Sequence, residues 1–553
     1  MPEGNAMKNV YLLAFLCLFS TGVRSQFVER VTEINYDGYN GLNPSTITVF
    51  NDKLYFFGTD DPQYVDKLMF TPDGSAAGVT VAKQIDSVKE YPSLRHLTVL
   101  NNLLLFDNHT QLWKSDGTTG GTSVIKNITT SAANYVVMNN KVYFAGDTTN
   151  RDQLWETDGT ASGTKLVKTI NPSGAAYIGQ MYVYGGNIYF SAWDGAGYYA
   201  QPWISDGTTA GTTKLKVVKS TMYSDADPSH YTPYGGKLYF SMYDDSSACQ
   251  LWVTDGSTAG TLKVTNLNPE NGIGLYPSSL TLFDSKLFFS GYDEKGYNQL
   301  WSTDGTAPGT IKVKADSTVR SGSPGFCPNS MVVYNDKLYM SGFDSSAGTQ
   351  LWATDGTTAG TTRMTTILPA FGPGRLYAFQ NKLIMTGYDS VTKAIELFVS
   401  DGTAAGTVCP APPSGGVDAF YPWQAWVPFN NALYYTAAYS YFADYQLCRF
   451  VGNAEPVKET QKNEHPEAFV LFQNYPNPFN PSTSISFALP SKSFVSLKVF
   501  DLLGREVATL MNGQKPAGTY TQKWYAGNFP SGVYFYRLQA GSFTETKKLL
   551  LLR

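Results

Sequence analysis

Carboxylates that recur beside aromatic rings are the first residues in this sequence able to form a site. Asp107, Asp147, Asp194, Asp244, Asp293, Asp344 and Asp389 each precede a Trp or its equivalent by eight or nine residues, or by six for Asp107. Trp193, Tyr243, Tyr292, Phe343 and Tyr388 stand directly before five of these acids, and Trp423 adds a ring on a longer segment. Rings beside carboxylates can stack on and hydrogen-bond a sugar, or engage a peptide. A pair of carboxylates can also act as acid and base on a glycosidic bond. An acid in almost every unit gives no reason to choose two, so no catalytic residue is assigned. The binding-face candidates are Trp193, Tyr243, Tyr292, Phe343, Tyr388 and Trp423, with Asp194, Asp244, Asp293 and Asp344. The competing reading is turn chemistry copied by duplication, each Asp closing a hairpin. Of the four His (His96, His109, His230, His465), none has metal-ligand spacing. His230, on a variable loop, is the one worth mutating.

A second set of acids is more regular. Asp73, Asp116, Asp158, Asp206, Asp255, Asp304, Asp355 and Asp401 each open a D-G or closely related turn, as in LWSTDGTAPGT at 300–310. They recur about every 40–50 residues, the spacing of propeller blades. One unit divides into strands 279–283, 286–291, 299–303 and 310–314, each short, apolar or β-branched, and bounded by turn residues. The TDGT phrase falls between strands three and four. There Asp304 can accept turn amides, Gly305 can take a positive φ, and Gly309 is expected to allow a second bend. Trp113, Trp155, Trp203, Trp252, Trp301 and Trp352 precede these turns and are expected to pack between blades, each burying about 150–250 Å². Phe398 and Met69 take that place in less regular units. A structural role is expected for both sets. No cofactor or metal is expected, although a calcium ion in each turn is the alternative; one carboxylate per turn is thin for a cation wanting six to eight oxygens.

The fold class expected is all-β: a large β-propeller of eight or nine four-stranded blades, then a small immunoglobulin-like sandwich. The chain has 553 residues, 51 Gly, 37 Tyr, 14% aromatic and only 16% charged residues, which suits strands and tight turns. A formal net charge of -4 argues against nucleic acid as a partner. A partial last unit at 425–450 lacks an outer strand, which Phe27–Ile34 can supply, closing the ring and removing its open edges. Cys249, Cys327, Cys409 and Cys448 are spaced unlike a metal knuckle, and both a Cys409–Cys448 bridge and thiols fit. The organisation expected is a signal peptide at 1–25, the propeller at 26–452, a linker at 453–467 and a sorting domain at 468–553. Lys8 with the apolar run Val10–Phe19 carries the first assignment, and no later run is long enough for a transmembrane anchor.

The LWxTDGTxxGT units resemble the ELWxTDGT-type repeats of exported bacterial proteins, over about residues 45–410. The turn itself resembles the aspartate box of sialidase-like propellers, which implies no sialidase chemistry. After a polar stretch, NYPNPFNPST, DLLGREV and SGVYFYRL…GSFTETKKLLLL follow in order. They resemble the C-terminal sorting domain of type IX secretion. That resemblance implies a Bacteroidetes-like envelope, passage through the periplasm and across the outer membrane, the secretion machinery as partner, and a secreted or cell-surface destination. The function expected is a binding module for glycan or protein. An extracellular polysaccharide hydrolase or lyase is the alternative, marked by a carboxylate of raised pKa in the central channel. A structural envelope protein is the second.

Overall fold

The computed structural model describes residues 27–32, 42–59, 65–75, 79–85, 94–131, 133–148, 151–196, 200–218, 226–243, 248–267, 274–316, 325–367, 371–389, 394–410, 426–438, 445–452, 469–472, 474, 477, 479–516, 518–527, 529–541 and 543–551. The signal-peptide segment, the whole linker at 453–467, Asp244, Trp423 and His465 lie outside them. Every regular element among the described residues is a strand. Two compact units divide at Glu455/Pro456.

The first unit is a β-propeller, with nine successive antiparallel sheets among the described residues. Blade 6 is representative: Ser278–Phe283, Lys286–Tyr292, Asn298–Thr303 and Ile311–Lys314, paired in chain order. Blade 8 shows three strands, the fourth reduced to a bridge between Val399 and Val408. The last sheet contains Val427–Phe429, Ala432–Ala438 and Tyr445–Val451, and its outer strand is Phe27–Arg30 from the other end of the unit. Thr32 donates its hydroxyl to Gln446 at 2.7 Å and receives the Leu447 amide at 3.0 Å, fixing that seam.

Each apolar cluster of this unit lies between adjacent sheets, because a strand's alternate residues face opposite neighbours. Trp301 packs with Tyr239, Leu251 and Phe289 between blades 5 and 6; Trp352 packs with Phe288 and Phe326 between blades 6 and 7. Met69 packs with Tyr434 and Phe429, joining the first sheet to the last. The indoles of Trp203, Trp252, Trp301 and Trp352 donate to strand-two carbonyls at 3.0–3.1 Å. Trp155 is buried and Trp113 half-buried, and neither indole N–H has a partner.

The repeated turn is a hydrogen-bonded staple. Asp304 Oδ1 accepts the Thr306 amide at 2.9 Å and hydroxyl at 2.7 Å, which hold its carboxyl below the usual range. Asp116, Asp158, Asp206, Asp255, Asp355 and Asp401 do the same with the Thr or Ser two residues on, and Asp73 accepts the Ser75 amide. The Thr303 and Thr310 hydroxyls meet at 2.8 Å and close the corner. Gly305 has φ +92°, and a Cβ there would strike the Tyr239 hydroxyl of the preceding blade. The same contact joins Tyr55 to Gly117 and Tyr339 to Gly402. It also spans the seam, where the Tyr434 hydroxyl donates to the Gly74 carbonyl at 3.1 Å. Gly309 lies in a second turn, closed by the Thr310 amide on the Ala307 carbonyl at 3.2 Å, and a Cβ there would collide with the Asp304 carboxylate.

The second unit is a sandwich. One sheet holds Val470–Leu471, Ser482–Leu489 and Gly518–Tyr525; the other holds Glu506–Lys515, Ser493–Phe500, Gly532–Ala540 and Phe543–Leu551. Alternate residues such as Ile485, Phe487, Val495, Leu497, Tyr536 and Leu538 fill its core. Glu506–Lys515 is not evident from alternation, since as an edge strand it buries no full face. Cys249, Cys327, Cys409 and Cys448 are thiols, so Cys409 and Cys448 are not bridged.

Candidate functional site

The variable face of the propeller lies at the end of strand two of each blade, opposite the staple turns. Here the innermost strand of six blades begins with an irregularity. The residue at its second position has positive φ in several blades: Thr46, His96, His230, Ser279, Ser330 and Arg375. The register shifts at those places, from Arg95 to Thr98 in blade 2 and from Ser278 to Thr281 in blade 6. Such bulges re-aim side chains at a strand end.

Aromatic rings gather on this face in two groups. Tyr177 stacks on Trp193 with centroids 6.2 Å apart, and Tyr177 stays 64% exposed. Tyr276, 42% exposed, stands edge-on to both Tyr243 and Tyr292 at 6.1 Å. Burial, with the neighbouring Tyr276, pushes the Tyr243 phenol well up. Tyr177 and Tyr276 hold positive φ, at +48° and +48°. Tyr177 was missed in sequence, and Tyr276 was read only as one of the aromatics on the inter-blade loops, because a loop residue set beside the end of strand two carries no periodic mark. Tyr388 is half-buried on the same edge. Phe343 is a correction: at 8% exposed it belongs to the packing and offers no ring to a ligand.

The loop acids are also corrected. Asp194 pairs with Lys214 at 2.6 Å, and Asp344 pairs with Arg363 at 2.9 Å. Asp293 accepts the amides of Lys295 and Tyr297 at 3.0 and 2.9 Å and lies 3.8 Å from Lys312. Each carboxylate thus ties its own hairpin to a cation on the outer strand. Burial opposes ionisation of Asp194, but Lys214 prevails and holds its carboxyl below the ordinary range. Asp147 accepts the Thr148 amide at 2.6 Å and that of Arg151. The side chain of Asp389 lies outside the described residues.

Asp107 does not belong with these acids. It pairs across the sheet with Leu112, immediately after the Phe106–Trp113 pair. The same register holds Ser191, Ser241, Ser290, Ser341 and Thr386 in blades 4 to 8. Asp107 is fully buried and accepts four donors. Its Oδ1 receives Arg95 Nη2 at 3.1 Å, the His109 amide at 3.0 Å and the Thr130 hydroxyl at 2.5 Å. Its Oδ2 lies 2.7 Å from His96 Nδ1. Burial works against its charge, yet His96, Thr130 and Arg95 together hold the carboxyl below the usual range. Arg95 Nη2 also meets His109 Nδ1 at 2.9 Å. Across the blade junction, Tyr135 stacks on His96 at 4.6 Å. Burial and the Asp107 charge push the Tyr135 phenol well up. The Tyr135 hydroxyl and Arg95 Nε are buried without partners. Sequence spacing passed over His96 and His109, which only the fold brings to one carboxylate. His230 stands at the matching position of blade 5, its imidazole pKa lowered by burial against the Asp227 charge. Among the described residues no three His, Cys, Asp or Glu side chains form a metal-ligand group.

Residues 473–552 match the family described as the secretion system C-terminal sorting domain. That domain marks the chain for export to the cell surface or the medium and implies interaction with the type IX secretion machinery. Among the described residues no helix is long and apolar enough to cross a membrane. No curated protein matches the sequence. Among solved structures, the chain is similar to PorZ, an essential bacterial surface component of the type IX secretion system of Porphyromonas gingivalis. That match has 12% identity and TM-score 0.22, covering 92% of this chain and 82% of the other. It is similar also to the extracellular domain of BT4673, a one-component system of B. thetaiotaomicron, at 10% identity and TM-score 0.27, covering 92% and 80%. A puromycin-hydrolyzing peptidase of Mycobacterium tuberculosis matches at 10% identity and TM-score 0.37, covering 81% and 59%. The chain spans 58–59% of the length of the puromycin-hydrolysing proteins it matches. With TM-scores this low, no role passes from these proteins to this one.

Proposed function

We propose that this exported protein is a nine-bladed propeller that binds glycan on its variable face, its sorting domain delivering it through type IX secretion. The observation that carries the reading is the pair of aromatic shelves, Tyr177 on Trp193 and Tyr276 between Tyr243 and Tyr292. Rings held upright on a rigid scaffold, with one face left open, lose little entropy on stacking against a sugar. The acids beside them serve the scaffold, which favours binding over paired-carboxylate hydrolysis. In support, the loop acids Asp194 and Asp344 are held below the ordinary carboxylate range, where a general acid needs a raised one.

The test is a glycan and polysaccharide array with the mature protein, read for retention and product release. Retention without release is expected, weakened by about 1–2 kcal/mol in Trp193→Ala and Tyr276→Ala. Release of product would overturn the reading in favour of an enzyme. Retention on protein ligands alone would replace glycan by protein. Export is tested separately: a strain lacking 473–552 should retain the protein in the cell, and unchanged export would sink that half.

A further inference from the structure

The corner around Asp107 departs from the repeat in a way that packing alone does not require. Blades 4 to 8 fill its register with Ser or Thr, and blades 1 and 3 with Phe57 and Ala145; here a buried carboxylate gathers an Arg and two His on the variable face. His96 and His109 both hold positive φ, at +60° and +73°. The φ of His96 belongs to the bulge that other blades share; that of His109 does not, and such strain in a residue other than Gly or Asn concentrates at ligand sites. Two buried polar atoms are left unsatisfied beside them, which calls for an explanation in a folded protein.

The hydrogen bonds fix which nitrogens face outward. Asp107 is ionised, so His96 Nδ1 must donate to it, leaving His96 Nε2 as the other ring nitrogen. Arg95 can only donate, so His109 Nδ1 accepts, and its proton sits on Nε2. Arg95 Nη1, His96 Nε2 and His109 Nε2 have no protein partner among the described residues, and none is among the buried unpartnered atoms, so all three meet solvent. The lone carboxylate charge is already consumed by four donors and balanced by Arg95.

We propose that Arg95, His96 and His109 form a subsite for the carboxylate of an acidic sugar, a uronate, on the same face as the aromatic shelves. This rests on the glycan-binding reading and narrows its ligand class. Two of the nitrogens, Arg95 Nη1 and His109 Nε2, are donors for the carboxylate, and His96 Nε2 is an acceptor open to a hydroxyl of the same sugar. The groups facing these rings are Asp107 and Arg95 from blade 2 and Tyr135 from blade 3.

The test is calorimetric titration of the mature protein with an oligogalacturonate, a sulfated galactose oligomer and a neutral galactose oligomer. The oligogalacturonate is expected to bind about tenfold tighter than the neutral oligomer. His109→Gln, an exposed change, should weaken the oligogalacturonate about tenfold and spare the neutral oligomer, and His96→Gln should weaken the oligogalacturonate by less. Equal binding of charged and neutral oligomers, or wild-type behaviour of both variants, overturns the subsite and leaves the shelf reading standing. Preference for the sulfated oligomer overturns the assignment to a carboxylate. Failure of all three to bind overturns the subsite and, if the array is also silent, the glycan reading with it.

Discussion

At one register of the propeller, blade 6 places Ser278 opposite Ser290, and blade 2 places Arg95 opposite Asp107. The backbone is the same in both, including the bulge and the positive φ of the next residue, Ser279 or His96. In blade 6 the Ser290 hydroxyl donates to Asn298 at 2.6 Å within its own sheet. In blade 2 the acid reaches across to Thr130 and organises two imidazoles. Repetition therefore identifies scaffold, and the single unit that breaks it with charged residues is where a specific task is to be sought.

The sharpest way to break this contrast is Asp107→Ala. It leaves Arg95 without its buried counter-charge and should lower stability by about 3 kcal/mol, read as a fall in the denaturation midpoint. A loss no larger than that of Ser290→Ala, expected near 1 kcal/mol, would make the two corners equivalent. Next in size is Gly305→Ala, expected to cost about 2 kcal/mol from the positive φ and the collision with Tyr239. Gly402→Ala meets Tyr339 in the same way and should lose the same amount; unequal losses would show that the staples are not interchangeable. Acid titration then separates the corners by sign. The Asp107 carboxyl is held below its ordinary value, so its contribution is present above about pH 4 and is lost as pH falls through the folded value. Asp107→Asn should therefore flatten the acid limb of the stability curve, while Ser290→Ala leaves it unchanged. The smallest effect belongs to Asp194→Asn. Both members of its pair with Lys214 are partly exposed, so the change should cost under about 1 kcal/mol and shrink further in salt.

Much of the fold was legible because it is local. The turn chemistry of Asp304, Gly305 and Thr306 and the strands around it lie within a few residues, and eight copies sum to an unmistakable period. The role of Gly309 was read only in part, because the Asp304 carboxylate lying against it is a matter of three dimensions. The site was legible only in part. Trp193, Tyr243 and Tyr292 stand out as rings, but their partners Tyr177 and Tyr276 lie on the loops leading into the innermost strands Tyr182–Tyr184 and Ser278–Phe283. Asp194, Asp293 and Asp344 look like ligand acids until their outer-strand cations come into view. His96, His109 and Asp107 carry no motif, because nothing in their spacing anticipates a bulged strand facing its hairpin partner.

The seam at the last sheet bears on timing. Phe27–Arg30 pairs with Tyr445–Val451, so the first strand of the propeller waits for one synthesised more than four hundred residues later. Closing so long a loop costs entropy that no earlier contact repays. Until then the first and last sheets each show a neighbour-facing apolar side, the one around Met69 and the one around Tyr434. A chain halted before residue 445 is thus an open arc with two sticky ends. The clasp that completes it is also a check of completeness, passed only by a chain whose final blade has been made.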